Sequence, residues 1–285
     1  MSLLAKTKLL IKEIITKYYD NGVARSAASL AYFLIFSLFP FLIFVNMLLG
    51  FMNISADSII TVFKNILPDD VINIIIVYIK YVTDTVSKNA FIFSLAFTIY
   101  IPIRTVQNLM FFLNRAYCIY DTRPLFKRTL FLVLFTFLFM FAIISSLAIL
   151  ILGENTLGLI SGLIYIPDNL INFWSDIRFL ILAALLFLLL SLLYTFSSHG
   201  KYSKKYIFSG SLFALFTWLA VSSVFAFYVN NMGRYSVLYG SIGAIIVLMV
   251  WLYISATIIL LGAEFNHALY IVDKRDINGG LDEKH

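Results

Sequence analysis

Long apolar stretches alternate with short polar ones along this chain. Six stretches have the length of a membrane helix: Ala27–Phe51, Ala90–Phe111, Leu130–Leu152, Ile177–Phe196, Ile207–Val229 and Tyr239–Phe265. About 20 residues at 1.5 Å each cross about 30 Å of hydrocarbon. A backbone in lipid must satisfy its own hydrogen bonds, which a helix does. The pattern therefore predicts six transmembrane helices. The one long connection, Asp57 to Lys88, reads differently. There Val71, Ile74, Ile75, Tyr78, Ile79 and Val82 recur at helical spacing, while Asp69, Asp70, Asn73, Lys80 and Asp84 interrupt the apolar run. Such a segment is too polar to span and predicts an amphipathic helix on the outer surface. Pro68 suits its start. A second outer loop, Gly153 to Asp176, holds Pro167 and Trp174.

Composition demands the same class. Of 285 residues, 61% are hydrophobic and 13% charged, against about 25% charged in a soluble protein. A soluble fold this apolar could not cover its surface. The expected fold is an all-α integral membrane protein of six transmembrane helices with an additional outer amphipathic helix. Residues 1–26 form a basic N-terminal segment, 27–267 one membrane domain and 268–285 a polar tail. The first apolar run exceeds the 7–15 residues of a signal-peptide core, so it reads as a retained helix. Cys118 is the only cysteine and excludes an intrachain disulfide; it reads as a small packing residue. His199, His267 and His285 lie far apart, so no metal-ligand spacing emerges and no cofactor is expected.

Charge then sets the orientation. Lys6, Lys8, Lys12, Lys17 and Arg25 precede the first span. Arg115, Arg123, Lys127 and Arg128 join the second to the third. Lys201, Lys204 and Lys205 join the fourth to the fifth, and Lys274, Arg275 and Lys284 follow the last. The other side holds only Lys64, Lys80, Lys88, Arg178 and Arg234. Basic residues stay cytoplasmic, so both termini are expected there, in a plasma membrane. The net charge of +6 follows from this asymmetry and from anionic lipid headgroups, not from nucleic acid.

Arg104 is the sharpest candidate for function. A charge inside a span costs several kcal/mol, and such residues usually face a bundle interior or water. At 100° per residue, Tyr100, Arg104, Gln107, Asn108 and Arg115 share one stripe of their helix. A snorkelling arginine is the plain alternative, but it needs no such polar company. On the last helix, Tyr253, Thr257, Glu264 and His267 lie near one face. Glu264 is either solvated at the cytoplasmic boundary or paired with Arg104 or Arg115. Gly240, Gly243 and Ala244 permit close helix packing, as do Ala24, Ala27, Ala28 and Ala31. Pro40 and Pro102 remove backbone hydrogen bonds mid-span, and broken helices near polar residues occur at transporter sites.

Three stretches carry a family likeness: RSAASLAYFLIFSLFPFLIF from Arg25, PIRTVQNLMFFLNRAYCI from Pro102, and YGSIGAIIVLMVWLYISATIILLGAEFN from Tyr239. The chain resembles the YihY/BrkB family of bacterial inner-membrane proteins, some of which carry the labels ribonuclease BN and serum-resistance factor. The resemblance implies an envelope role linked to lipids.

The residues and the likeness together lead to a transporter or flippase of a lipid or lipid-like amphiphile. Tyr100, Arg104, Gln107, Asn108, Arg115, Thr257 and Glu264 are its candidate binding residues, with membrane lipids as partners. The alternative is a non-catalytic scaffold that docks envelope proteins. Enzymatic chemistry is not expected. RNA cleavage needs acid and base groups within hydrogen-bond reach, and the candidates here are scattered. No nucleotide-binding loop is present, so energy would come from gradients or partners.

Overall fold

The computed structural model describes residues 3–51, 88–151, 168–231 and 235–282. Seven helices account for almost all of them: α1 (Leu3–Asp20), α2 (Val23–Phe51), α3 (Lys88–Ala116), α4 (Leu125–Ile151), α5 (Asp168–Ser197), α6 (Lys204–Asn231) and α7 (Tyr235–Asp282). The expected outer amphipathic helix falls outside the described residues, as does most of the second outer loop.

Each predicted span falls on one helix, α2 to α7 in order. Among the described residues, five stretches, one in each of α3 to α7, are long and apolar enough to cross a membrane, and α2 holds a shorter apolar stretch. The protein is an all-α integral membrane protein. Its helices overrun the predicted spans at most ends. Hydropathy stops at the interface, but backbone hydrogen bonding continues past it. The 48 residues of α7 measure about 70 Å at 1.5 Å each, over twice the hydrocarbon thickness. The segment expected as a basic N-terminal stretch folds as α1, and α1 packs on α7 with Lys6 Nζ 2.6 Å from Asp276.

The chain divides into two compact units. One comprises Met1–Leu34, Thr105–Phe135 and Ala183–His285; the other comprises Ile35–Arg104 and Thr136–Leu182. In the second unit, the Phe93 and Phe97 rings stack 4.3 Å apart and Arg178 lies over the Phe179 ring.

In the first unit, the core lies where α6 meets α7. Gly210 is the contact point. A Cβ there would strike the Asn266 side chain and the Gly262 carbonyl, and a Cβ on Gly262 would strike the Tyr194 hydroxyl. Close approach of this kind is what small residues permit in a membrane, where packing and hydrogen bonds replace the hydrophobic effect between helices. The Phe213 and Phe265 rings stack 4.4 Å apart beside it, and Trp218 Nε1 donates to Ser255 Oγ at 3.0 Å. The outward faces are apolar: on α4 Phe131 is half-buried and Leu134 exposed, and on α6 Phe216, Val224 and Phe227 are exposed. Lipid is the solvent that covers such a surface.

Gly210→Ala should destabilise the protein by about 1–3 kcal/mol, the usual cost of overpacking. A lowered thermal midpoint in lipid nanodiscs checks this; an unchanged midpoint contradicts the contact.

Candidate functional site

A chain of buried polar groups runs through the first unit near the basic end of its helices. It starts at Gly210, whose backbone N–H donates to Asn266 Oδ1 at 2.8 Å. That donor fixes which way the Asn266 amide points, because only its oxygen can accept. Asn266 Nδ2 then donates to the Tyr117 hydroxyl at 2.9 Å. The Tyr202 hydroxyl lies 3.2 Å from the Tyr117 carbonyl and 2.7 Å from His267 Nδ1. Both contacts are met at once when His267 donates from Nδ1 and Tyr202 donates to the carbonyl. Tyr194 is fully buried and donates to the Ile259 carbonyl at 2.7 Å, tying α5 to α7. Burial pushes the Tyr117 and Tyr202 phenols up, so both stay neutral, Tyr117 accepting from Asn266.

Glu264 sits on α7 one turn from this network, 1% exposed. Its Oε1 accepts from Asn21 Nδ2 at 2.6 Å, and its Oε2 is buried without a hydrogen-bond partner. The expectations of solvation or of an arginine partner therefore give way to an amide partner from the α1–α2 turn. Lys17 and Arg115 are near enough for their charges to act on Glu264.

Asn21 also lines a cavity of about 620 Å³. Its polar wall adds Asn114, Arg115, Asp121, Arg123 and Arg128. Its apolar wall is Met110, Phe111, Ile119, Phe131, Leu132 and Phe196. The end of α3 shapes it. Ile119 N–H donates to the Asn114 carbonyl and Cys118 N–H to the Arg115 carbonyl, with Cys118 at φ +53°. This is a Schellman ending with cysteine in the place usually held by glycine. Cys118, expected as a packing residue, is exposed in this turn.

Charge in the cavity is unbalanced. Three guanidinium groups face one carboxylate. Arg123 is held over the Phe196 ring at 4.0 Å and donates to the Phe196 carbonyl at 2.5 Å. Burial pulls the pKa of its guanidinium down, and Asp121 opposes that pull. Asp121 accepts from the Arg123 backbone N–H at 3.1 Å and lies 3.9 Å from Arg123 Nε, Arg128 Nε and His199 Nε2. Arg115 is exposed and donates to the Asp20 carbonyl at 3.2 Å.

Of the sequence candidates, Arg115 lies in the cavity wall and Glu264 joins it through Asn21. Arg104 belongs to the second unit. It is exposed, and its Nε donates to the Tyr100 hydroxyl one turn back at 2.9 Å. Gln107 and Asn108 are half-buried on the same helix and outside the cavity lining. Thr257 donates to its own helix at Tyr253. Pro102 lies within the unbroken α3, half-buried, and Gly243 is buried in α7. Pro40, Gly240 and Ala244 lie in α2 and α7, with side-chain surroundings outside the description. Sequence reasoning missed Asn21, Asn114, Asp121 and the Gly210–Asn266 link. Glycine at 262 with asparagine one turn later, in an otherwise apolar helix, was the available signal for that link.

A family model described as virulence factor BrkB matches residues 14–280. The chain belongs to that family. It is also 29% identical over 264 residues to a Bacillus subtilis (strain 168) protein named for its likeness to a ribonuclease, YfkH; the match covers 91% of this chain and 94% of that one. No solved structure matches the chain. The matched residues include α1 from residue 14 as well as every lining residue of the cavity.

His199 provides a pH test of this region. It follows α5 at φ +51°, and burial, then the charges of Arg123 and Lys201, hold its imidazole below 6.5 against the opposing Asp121. The unfolded chain therefore binds the extra proton first, and stability falls as pH drops below about 6.5. His199→Asn, which tolerates positive φ, should flatten the fall in thermal midpoint between about pH 7.5 and 5.5. An unchanged slope would assign the acid sensitivity to other groups.

Proposed function

We propose that this BrkB-family protein moves a lipid or lipid-like amphiphile across a bacterial plasma membrane, with its basic end toward the cytoplasm. One observation carries the reading: the cavity at that end joins three arginines to a wall of aromatic and aliphatic side chains. An amphiphile needs both. Charge-assisted hydrogen bonds hold an anionic headgroup, and apolar walls receive the start of its chain. On this reading Tyr100, Arg104, Gln107 and Asn108 continue a polar stripe along α3 beyond Arg115. Glu264 supports the site through Asn21, and Thr257 lies two turns before Glu264 on α7.

The reading assigns no catalytic step, and the ribonuclease-like name of the Bacillus relative is not carried over. The scaffold alternative predicts that lipid movement is absent and that protein partners co-purify regardless of the arginines.

In proteoliposomes, Arg115→Ala with Arg128→Ala should slow the movement of a fluorescent anionic phospholipid by about tenfold, the loss of one charge-assisted hydrogen bond or more. Lys8→Ala, outside the cavity, serves as the control. Movement at the protein-free rate with the intact protein would favour the scaffold.

A further inference from the structure

The cavity wall has acceptors as well as cations. Arg115 is exposed and the Arg128 side chain is 37% exposed, so both can turn toward a ligand without leaving a buried partner. Asp121 accepts one hydrogen bond, from the Arg123 N–H; the three basic side chains around it stand at 3.9 Å. That is ion-pair range but too long for hydrogen bonds, and a carboxylate has about four acceptor positions. Asn114 is 8% exposed, and its carboxamide oxygen has no partner. A polar group buried this deeply is normally satisfied, and an exception asks for a missing partner.

Different ligands meet this wall differently. A fatty-acid carboxylate would engage the arginines, but it is ionised and brings no donor for Asn114, and a bare phosphate donates only while it keeps a proton, which it loses near neutral pH. A zwitterionic head supplies a donor, yet its zero net charge leaves the guanidinium excess uncompensated. A phosphate ester with a hydroxyl close by supplies both the anion and the donor.

We propose that the cavity binds an anionic phosphate ester whose headgroup carries a free hydroxyl. The phosphate oxygens accept from Arg115 and Arg128, and the hydroxyl donates to Asp121 or Asn114. Met110, Phe111 and Leu132 receive the first methylenes of a chain. Only that last point rests on the lipid reading; the headgroup chemistry stands apart from it.

The full-length protein in nanodiscs of equal phosphatidylglycerol, phosphatidic acid and phosphatidylethanolamine provides the test, with lipids retained on extraction measured by mass spectrometry. Phosphatidylglycerol should be enriched over both others, and Arg115→Ala with Arg128→Ala should lower the enrichment about tenfold. Asp121→Asn should bring phosphatidylglycerol and phosphatidic acid closer to equal while keeping both above phosphatidylethanolamine. Phosphatidic acid retained as well as phosphatidylglycerol by the unaltered protein overturns the hydroxyl assignment, and a bulk-like profile overturns the site. That comparison stands even where a variant fails to fold. Free glycerol 1-phosphate displacing phosphatidylglycerol at similar concentration upholds the headgroup chemistry and counts against the lipid reading.

Discussion

Everything at the basic end of the first unit depends on one approach of two backbones. Gly210 on α6 and Gly262 on α7 come so near that neither position has room for a Cβ. The approach brings the Gly210 N–H onto Asn266, and through Asn266 it orients Tyr117 at the end of α3. A polar side chain in a membrane helix is costly unless it is bonded. Here each link in the chain supplies the partner that the next one needs, so the network is stable only as a whole.

The cavity is a consequence of that frame. Tyr117 caps α3, whose last turn carries Asn114 and Arg115 into the same wall as Asp121 just beyond the cap. The Tyr202–Tyr117 contact and the Arg123–Phe196 contact pin the α3–α4 and α5–α6 connections. Three arginines then hold positions that mutual repulsion alone would not favour. Asp121, at ion-pair distance from Arg123 and Arg128, offsets part of that repulsion.

Glu264 and Asn114 are among the described buried groups that keep an unpartnered atom. Glu264 has one oxygen bonded and one unpartnered, and Asn114 has an unpartnered oxygen. Asn21 connects the Glu264 end to the cavity, since it bonds the carboxylate and lines the wall. An isolated Ala substitution there would leave the buried carboxylate without its donor, so the turn between α1 and α2 is part of the site and not a mere entry to the membrane.

The sequence by itself determined the class. Apolar runs of bilayer length placed one span on each of α2 to α7, because the physics of a spanning helix is local and repeats every turn, but not where α5 begins or α7 ends. It also marked Arg104 and Glu264, since a charge in an apolar run is visible without any fold. It put Arg115 on the candidate stripe but read Arg123 and Arg128 only as a topology signal, because surface charge and site charge look the same along a chain. Tertiary structure alone decided that these arginines share a cavity. It alone gave Glu264 a partner 243 positions away in Asn21, and made Gly210 a contact point rather than a tolerated glycine. Hydrogen bonds between distant helices depend on rotation and depth, and neither is written in the spacing of residues along one helix.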